Sequence, residues 1–373
     1  MRIAVNARML TQRNPGGIGT YAFETLRRIT ARHREHDFLF IVDRPFPGRG
    51  AYPDNVSVAR AFPSIHPFLW YPWFEWAVPR ILRRFGADVF LSPDGFIPLS
   101  GSVSAVAVIH DMNFHHNPED LPCLHSRYFN HFFPRYARKA RTLATVSEHS
   151  RKDIARICAV DPGKITVTGS AAGGGFQPLT EGERAKIRRE LTGGVPYFLT
   201  VGALHPRKNL VRLIEAFGRF RDENPCEAKL VLVGPRMFKT RNIFQARKRT
   251  RFEKDVLFLG AVPDDRLPGI YGAARAFFFV SYFEGFGIPA LEAMSAGVPV
   301  VAADRTALPE VCGDAAFYVD PFSVDAIAGA MKALFSDEVF RMDLVEKGMR
   351  RKGRFSWDRT ADLLWQAVKR ALP

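Results

Sequence analysis

An α/β fold of two doubly wound parallel sheets is predicted by three features of the sequence. Short apolar runs rich in β-branched and aromatic residues alternate with helix-period stretches over most of the 373 residues. Unbroken apolar strands spaced by helices are what a parallel sheet covered on both faces requires. The runs are too many for one sheet, and the rhythm is interrupted once, at residues 169–196, where glycines, a proline and charges precede a restart at Tyr197.

The runs before the interruption are IAVNA, FLFIV, DVFLS, AVAVIHD and TLATVS, and those after it are YFLTVG, KLVLVG, VLFLGAV, AFFFVS, PVVAA and AAFYVD. They divide the chain into an N-terminal domain of residues 1–175, a linker of 176–196 and a C-terminal domain of 197–356. The last segment, 357–373, carries Trp357, Ala361, Leu364, Trp365 and Val368 at helical spacing with no strand after it. It is expected to rejoin the first domain.

Composition excludes several classes. Hydrophobic residues make up 47% and charged residues 24%, which is ordinary for packed cores and excludes disorder. The formal net charge of +15 predicts attraction for anions: nucleic acid, anionic lipid or phosphorylated substrates. Cys123, Cys158, Cys226 and Cys312 lie far apart with no CxxC pair, which argues against a zinc site and a disulfide framework. They read as buried thiols of a reducing compartment. The N-terminal apolar stretch is too short for a signal-peptide core, and no apolar run approaches the length of a membrane span. The expectation is a cytoplasmic protein.

The most informative segment is EGFGIPALEAMSAGVPVVA, from Glu284 to Ala302. A buried strand turns through Gly285 and Gly287 into a helix with Pro289 near its first position, where a missing N–H is harmless. The unpaired amides of the first turn, from Gly287 onward, suit a phosphate. Glu292, one turn into the helix, can accept hydrogen bonds from a vicinal diol such as a ribose. Glu284, just before the turn, can hold hydroxyls of a group attached to the phosphate.

This segment resembles the E-x7-E motif of the family 4 retaining glycosyltransferases of the GT-B fold, and the chain from GGIGTY to FSW fits that pattern. The resemblance implies two Rossmann-like domains facing across a cleft and transfer of a hexose from a nucleotide-diphosphate sugar. It gives Glu292 the nucleotide ribose, Glu284 the donor sugar, and residues 286–288 the diphosphate.

Other segments join this reading. Arg207 and Lys208 stand where HPRKN opens a helix after Gly202, and cations at a helix N-terminus call for an anion between them. The resemblance makes them diphosphate ligands, although Ala203 stands where many relatives carry a basic residue. Gly17 and Gly19 precede a helix expected to start near Thr20, permitting close approach of backbone to a diphosphate. Gly17 to Ala22 also spells GxGxxA, with Asp43 closing the next strand, so a NAD-dependent oxidoreductase is an alternative. The long loop after the first strand tells against it. A nucleic-acid-binding protein is a second alternative from the charge, without a recognisable motif.

His110 and Asp111 end a strand in VIHD, and the resemblance places His110 against the donor sugar with Asp111 orienting its loop. Gly234 and Gly260 end strands expected to frame the nucleobase, with Val262 at its edge. Ser147 or Ser150 is expected to cap the helix of SEHSRKDI. No D-x-D triplet is present, so no metal and no cofactor is expected. The mannosyltransferases of O-antigen and exopolysaccharide assembly look most similar, implying GDP-mannose as donor and a glycan or polyprenyl-diphosphate-linked acceptor. Two surface segments stand out, the basic run 239–254 and the Trp- and Arg-rich run 66–85. The second suits either a core helix or peripheral contact with the anionic inner face of the cell membrane.

Overall fold

The computed structural model describes residues 1–12 and 16–372 and divides into two units, Met1–Ser170 with Ser356–Pro373, and Ala171–Phe355. The first unit holds β1 (Arg2–Asn6), β2 (Asp37–Val42), β3 (Val56–Arg60), β4 (Val89–Ser92), β5 (Ser104–Val108), β6 (Thr142–Thr145) and β7 (Ile165–Val167). They form one parallel sheet in the order β3-β2-β1-β4-β5-β6-β7. The second unit holds β8 (Tyr197–Val201), β9 (Lys229–Val233), β10 (Val256–Gly260), β11 (Ala276–Phe279), β12 (Val300–Ala303) and β13 (Ala316–Val319). Its parallel order is β10-β9-β8-β11-β12-β13.

Both sheets are doubly wound, as the alternation of apolar runs predicts. In each, the first strand lies inside the sheet, β1 beside β4 and β8 beside β11, so the winding reverses there. Such reversals open crevices at the carboxyl ends of the strands. Strands β3 and β7 are absent from the sequence reading. Both lie at sheet edges; β3 buries only Val56 well, and β7 has three residues, so neither shows a continuous apolar run.

The stretch read as a linker carries a helix, Glu181–Thr192, started by a capping box between Thr180 and Glu183 and joined to the second unit by Arg188 Nε donating to the Ala273 carbonyl at 2.9 Å. The last helix, Trp357–Ala371, belongs to the first unit and buries Trp357, Leu364, Trp365 and Val368. Ser104 and Thr142 donate to its Ala371 and Ala367 carbonyls, and Trp365 stacks on His33 at 4.1 Å.

Cys158 and Cys312 are buried, Cys226 is partly so, and Cys123 is exposed, which corrects the expectation of four buried thiols. Cys123 is the first residue of the helix Cys123–Lys139, on its solvent side. Ser147 caps the helix Glu148–Cys158 by accepting from the Ser150 amide at 3.0 Å. Among the described residues no helix is long and apolar enough to cross a membrane.

Candidate active site

In the second unit the chemistry gathers at the reversal between β8 and β11. After β11 the chain turns through Gly287, whose φ of 120° is costly for any side chain and whose added Cβ would lie 2.9 Å from Leu308 Cδ2. The helix Ile288–Ser295 follows, with Pro289 in its first turn, and Gly297 (φ 69°) ends it. Among the described residues no protein acceptor meets the amides of Phe286, Gly287 and Ile288. The side chain of Phe286 is buried edge-on to Phe355.

Glu284 is buried in front of this helix. Its backbone is pinned to the Thr306 hydroxyl and the Ala307 amide. Its carboxylate holds two cations at once: Arg207 Nη1 lies 2.7 Å from Oε2 and Lys208 Nζ 2.6 Å from Oε1. Burial alone would raise this acid, but the two cations outweigh it and hold the carboxyl at about 2. The sequence therefore brings its two predicted diphosphate ligands onto one predicted sugar ligand, and ties all three together.

The loop after β8 is built to aim those cations. It winds one short turn, Pro206–Lys208, before the helix Leu210–Glu223. His205 accepts from the Arg207 amide at 3.3 Å, and Asn209, in the left-handed region at φ 59°, donates to the carbonyls of Val280 and Pro321 at 3.1 and 2.5 Å. Burial, helped by Arg207 and Lys208, pushes His205 down to about 4, so it stays neutral as an acceptor. Arg207 also donates to the Phe283 carbonyl at 3.0 Å, and Lys208 Nζ sits 4.5 Å above the Phe279 ring.

Glu292 lies on the same helix, partly buried, and receives the phenol hydrogen of fully buried Tyr271 at 2.9 Å on Oε2. Burial raises its carboxyl to about 7, with Asp264 adding to the rise and Tyr271 and Lys208 opposing it. Lys208 thus acts electrostatically on both glutamates. Tyr271 stands in LPGIYG, a segment without a motif, and was missed; its only sequence signal was a tyrosine in an otherwise apolar helix.

Gly202, Gly234 and Gly260 end β8, β9 and β10 side by side. The Gly202 amide donates to the Val233 carbonyl and the Gly234 amide to the Gly260 carbonyl, each at 2.8 Å. A Cβ on Gly234 would fall 2.0 Å from the Gly202 carbonyl oxygen. Gly234 is therefore set by a backbone crossing. Val262 is partly buried in the loop beyond β10.

In the first unit, His110 follows β5. Its Nε2 lies 2.9 Å from the Pro93 carbonyl, which can only accept, so the proton is on Nε2 and Nδ1 carries a lone pair. Burial depresses its pKa, and Tyr21 stands edge-on at 4.9 Å, its hydroxyl 2.9 Å from Thr168 Oγ1. Asp111 accepts from the Asn113 amide at 2.9 Å and so fixes the turn into the helix Asn113–His116.

The reversal between β1 and β4 carries a buried polar network the sequence reading missed. Asn6 donates to Asp94 at 2.7 Å and to Ser92 at 3.1 Å, and Arg8 Nε donates to Asp94 at 2.8 Å. The Arg8 guanidinium lies 4.2 Å from the Phe96 ring and 5.1 Å from that of Phe74. Pro93, between Ser92 and Asp94, is the residue that holds His110.

Gly17 and Gly19 are placed differently from the expectation. The helix begins at Gly16, so both lie in its first turn rather than in a loop ahead of it, and only Gly16 adopts a positive φ. Asn14 and Pro15 of that motif lie outside the described residues. Asp43 is buried and occupied by Ser64, Thr11 and Arg44, an engagement unlike the open ribose contact of the dinucleotide alternative.

Comparison with known proteins gives the family and the fold. Residues 183–351 match the profile of the glycosyl transferases group 1, and residues 15–169 that of glycosyltransferase family 4. The chain is 30% identical over 355 residues to the O-antigen chain mannosyltransferase B of Escherichia coli, covering 92% of this chain and 93% of that one. It is 27% identical over 281 residues to the O-antigen chain mannosyltransferase RfbU of Salmonella typhimurium, covering 75% and 74%. The crystal structure of Anabaena HepE with UDP and glucose shares the fold, at a TM-score of 0.77 and 18% identity over 99% of each chain. With its two doubly wound sheets and its paired glutamates at a strand-to-helix turn, the chain belongs to the family 4 glycosyltransferases of the GT-B fold.

Proposed function

We propose that this chain transfers mannose from GDP-mannose to a hydroxyl of a glycan or polyprenyl-diphosphate-linked acceptor during assembly of a bacterial surface polysaccharide. The transfer retains the anomeric configuration and uses no metal ion. The relatives named as O-antigen mannosyltransferases support the sugar and the pathway class. The observation that carries the site is the convergence of Arg207 and Lys208 on Glu284, with Lys208 also acting on Glu292.

In this reading Glu292 accepts from the ribose hydroxyls and Glu284 from the mannose hydroxyls. The amides of Phe286 to Ile288 and the two cations receive the diphosphate, whose developing charge they stabilise as the bond to the anomeric carbon breaks. The acceptor oxygen forms the new bond on the same face, and its proton passes to the departing phosphate oxygen. His110 is assigned to the donor sugar as a neutral group, and Gly234 and Val262 to the base. Gly17 and Gly19 let the first turn of their helix approach the donor phosphate. Arg207, Lys208 and the helix amides supply the positive charge that a metal would otherwise bring. The protein works at the inner face of the cell membrane as a peripheral protein.

The test is a panel of nucleotides and nucleotide sugars read by thermal shift, with wild type and Glu292→Ala. GDP and GDP-mannose are expected to stabilise the wild type and to lose most of that effect in the variant. Larger shifts with UDP and UDP-glucose, the chemistry held by HepE, would move the donor to a UDP-sugar; equal shifts in both proteins would remove Glu292 from the ribose.

A further inference from the structure

The segment 62–85 packs one apolar face into the first unit and turns a second apolar face to solvent. It runs through a helix, Pro67–Pro72, a wider turn, Trp73–Ala77, and a second helix, Val78–Phe85. Trp70, Trp73, Phe74, Val78 and Leu82 are buried. On the opposite side Phe68 is 71% exposed and Trp76 58%, with Leu69 and Tyr71 beside them and Phe62 and Ile65 in the approach. A surface helix ordinarily turns a polar face to water. Six of the thirteen exposed large apolar residues among those described fall within the fifteen positions 62–76, so the exposure is a patch and not scatter.

The exposed charge along this stretch of chain, from Val56 to Ala87, has one sign. Arg60, Arg80, Arg83 and Arg84 are exposed along its flank. Glu75 is the only acid from Val56 to Ala87, and its two oxygens are turned to the amides of Leu99 and Ser100 at 2.7 and 2.9 Å. Aromatic residues on a face with an arginine flank fit the boundary of an anionic bilayer, where rings bury at headgroup depth and guanidinium groups stay among phosphates. A protein partner would be matched by a rim carrying both signs of charge, whereas from Val56 to Ala87 the exposed charges are all arginines.

We infer that Phe68, Leu69, Tyr71 and Trp76, with Phe62 and Ile65, form a docking face that inserts into an anionic lipid bilayer. The inference rests on the reading of a lipid-linked acceptor and names the surface that meets the lipid. The buried side of the same segment gives this docking a purpose. Trp70 and Phe74 pack on the Arg8 guanidinium, which is paired with Asp94, and Pro93 beside it holds His110. The bilayer face and the strand ends at the β1–β4 reversal are opposite sides of one packed element.

The experiment is vesicle flotation of the full chain with phosphatidylcholine alone and with phosphatidylcholine plus phosphatidylglycerol. Wild type is expected to float with the anionic vesicles, less so at high salt. Combined Phe68→Ser, Tyr71→Ser and Trp76→Ser should lower partitioning at least about tenfold, and combined Arg80→Gln, Arg83→Gln and Arg84→Gln should remove the preference for phosphatidylglycerol. Circular dichroism and the melting temperature are expected to hold, because the substituted groups face solvent. Wild type remaining unbound with both vesicles, or the aromatic variant floating as well as wild type, would overturn the inference. So would a dimer in sedimentation velocity without lipid that the aromatic variant dissociates, which would make the face a contact between copies. The GDP-mannose thermal shift of the aromatic variant without lipid is expected unchanged, so failure at the bilayer and failure of the donor reading are read separately.

Discussion

Tyr271 donates its phenol hydrogen to Oε2 of Glu292 at 2.9 Å, and both groups are held in a pocket that raises the carboxyl to about 7. The phenol fixes one oxygen of the acid. It also favours the ionised form, the form that the proposed ribose contact requires.

Donor binding should therefore tighten as pH rises from about 6 to 8, through the ionisation of Glu292. Tyr271→Phe removes the bond that lowers this pKa, so its binding limb should move to higher pH and its donor KM rise by about tenfold, the loss of roughly one hydrogen bond. Stability carries the matching sign. A carboxyl raised from 4.5 to about 7 on folding makes the folded state hold a proton the unfolded chain releases, so its contribution to stability falls as pH rises from 4.5 to 7 and is flat above. Urea titrations of wild type and Glu292→Gln across that range check the slope.

Glu284 behaves in the opposite direction. Its pKa is lowered from 4.5 to about 2, so its stabilisation is complete above 4.5 and is lost as pH falls toward 2. The shift corresponds to about 3 kcal/mol. Glu284→Gln should abolish that acid-dependent part of the unfolding free energy, leave Arg207 and Lys208 repelling each other, and lower kcat/KM by at least about a hundredfold.

The crossing of Gly202 and Gly234 predicts unequal costs. Gly234→Ala puts a methyl against a backbone oxygen that cannot move without displacing β8, whereas Gly202→Ala meets the flexible end of Lys208 at 3.1 Å. Both positions have φ 145°, so both are strained. Thermal melts should show Gly234→Ala destabilised by about 3 kcal/mol or more and Gly202→Ala by less, with a larger loss of donor affinity because it disturbs Lys208.

His110 is depressed by burial and keeps its proton on Nε2 for Pro93. The pH–rate profile should accordingly show no histidine limb above its ordinary range, and His110→Ala should lower kcat about a hundredfold with little change in donor KM. A profile whose acid limb disappears in the variant would make His110 a proton carrier instead.

The sheets were legible because interior parallel strands are apolar on both faces, and the runs from Ile3 to Val319 mark them without help from tertiary contacts. Edge strands β3 and β7 were not, since one-sided burial erases that signal. The Glu284 to Glu292 segment was legible because a glycine turn before a helix leaves a fixed spacing. The partners Tyr271 and Thr306 were not, because each reaches the site from a different loop or helix with no spacing to betray it. Arg8 and Asp94 are 86 residues apart, and only the side-by-side placement of β1 and β4 joins them.

The return of Trp357–Ala371 to the first unit makes the intervening residues an insertion within it. On the ribosome, the portion from Ala171 to Phe355 emerges whole and can fold as soon as it clears the exit tunnel. The earlier portion must wait with the surface over β5 and β6 uncovered until the closing helix is made. Chaperone capture, and aggregation on truncation, should therefore fall on the half synthesised first.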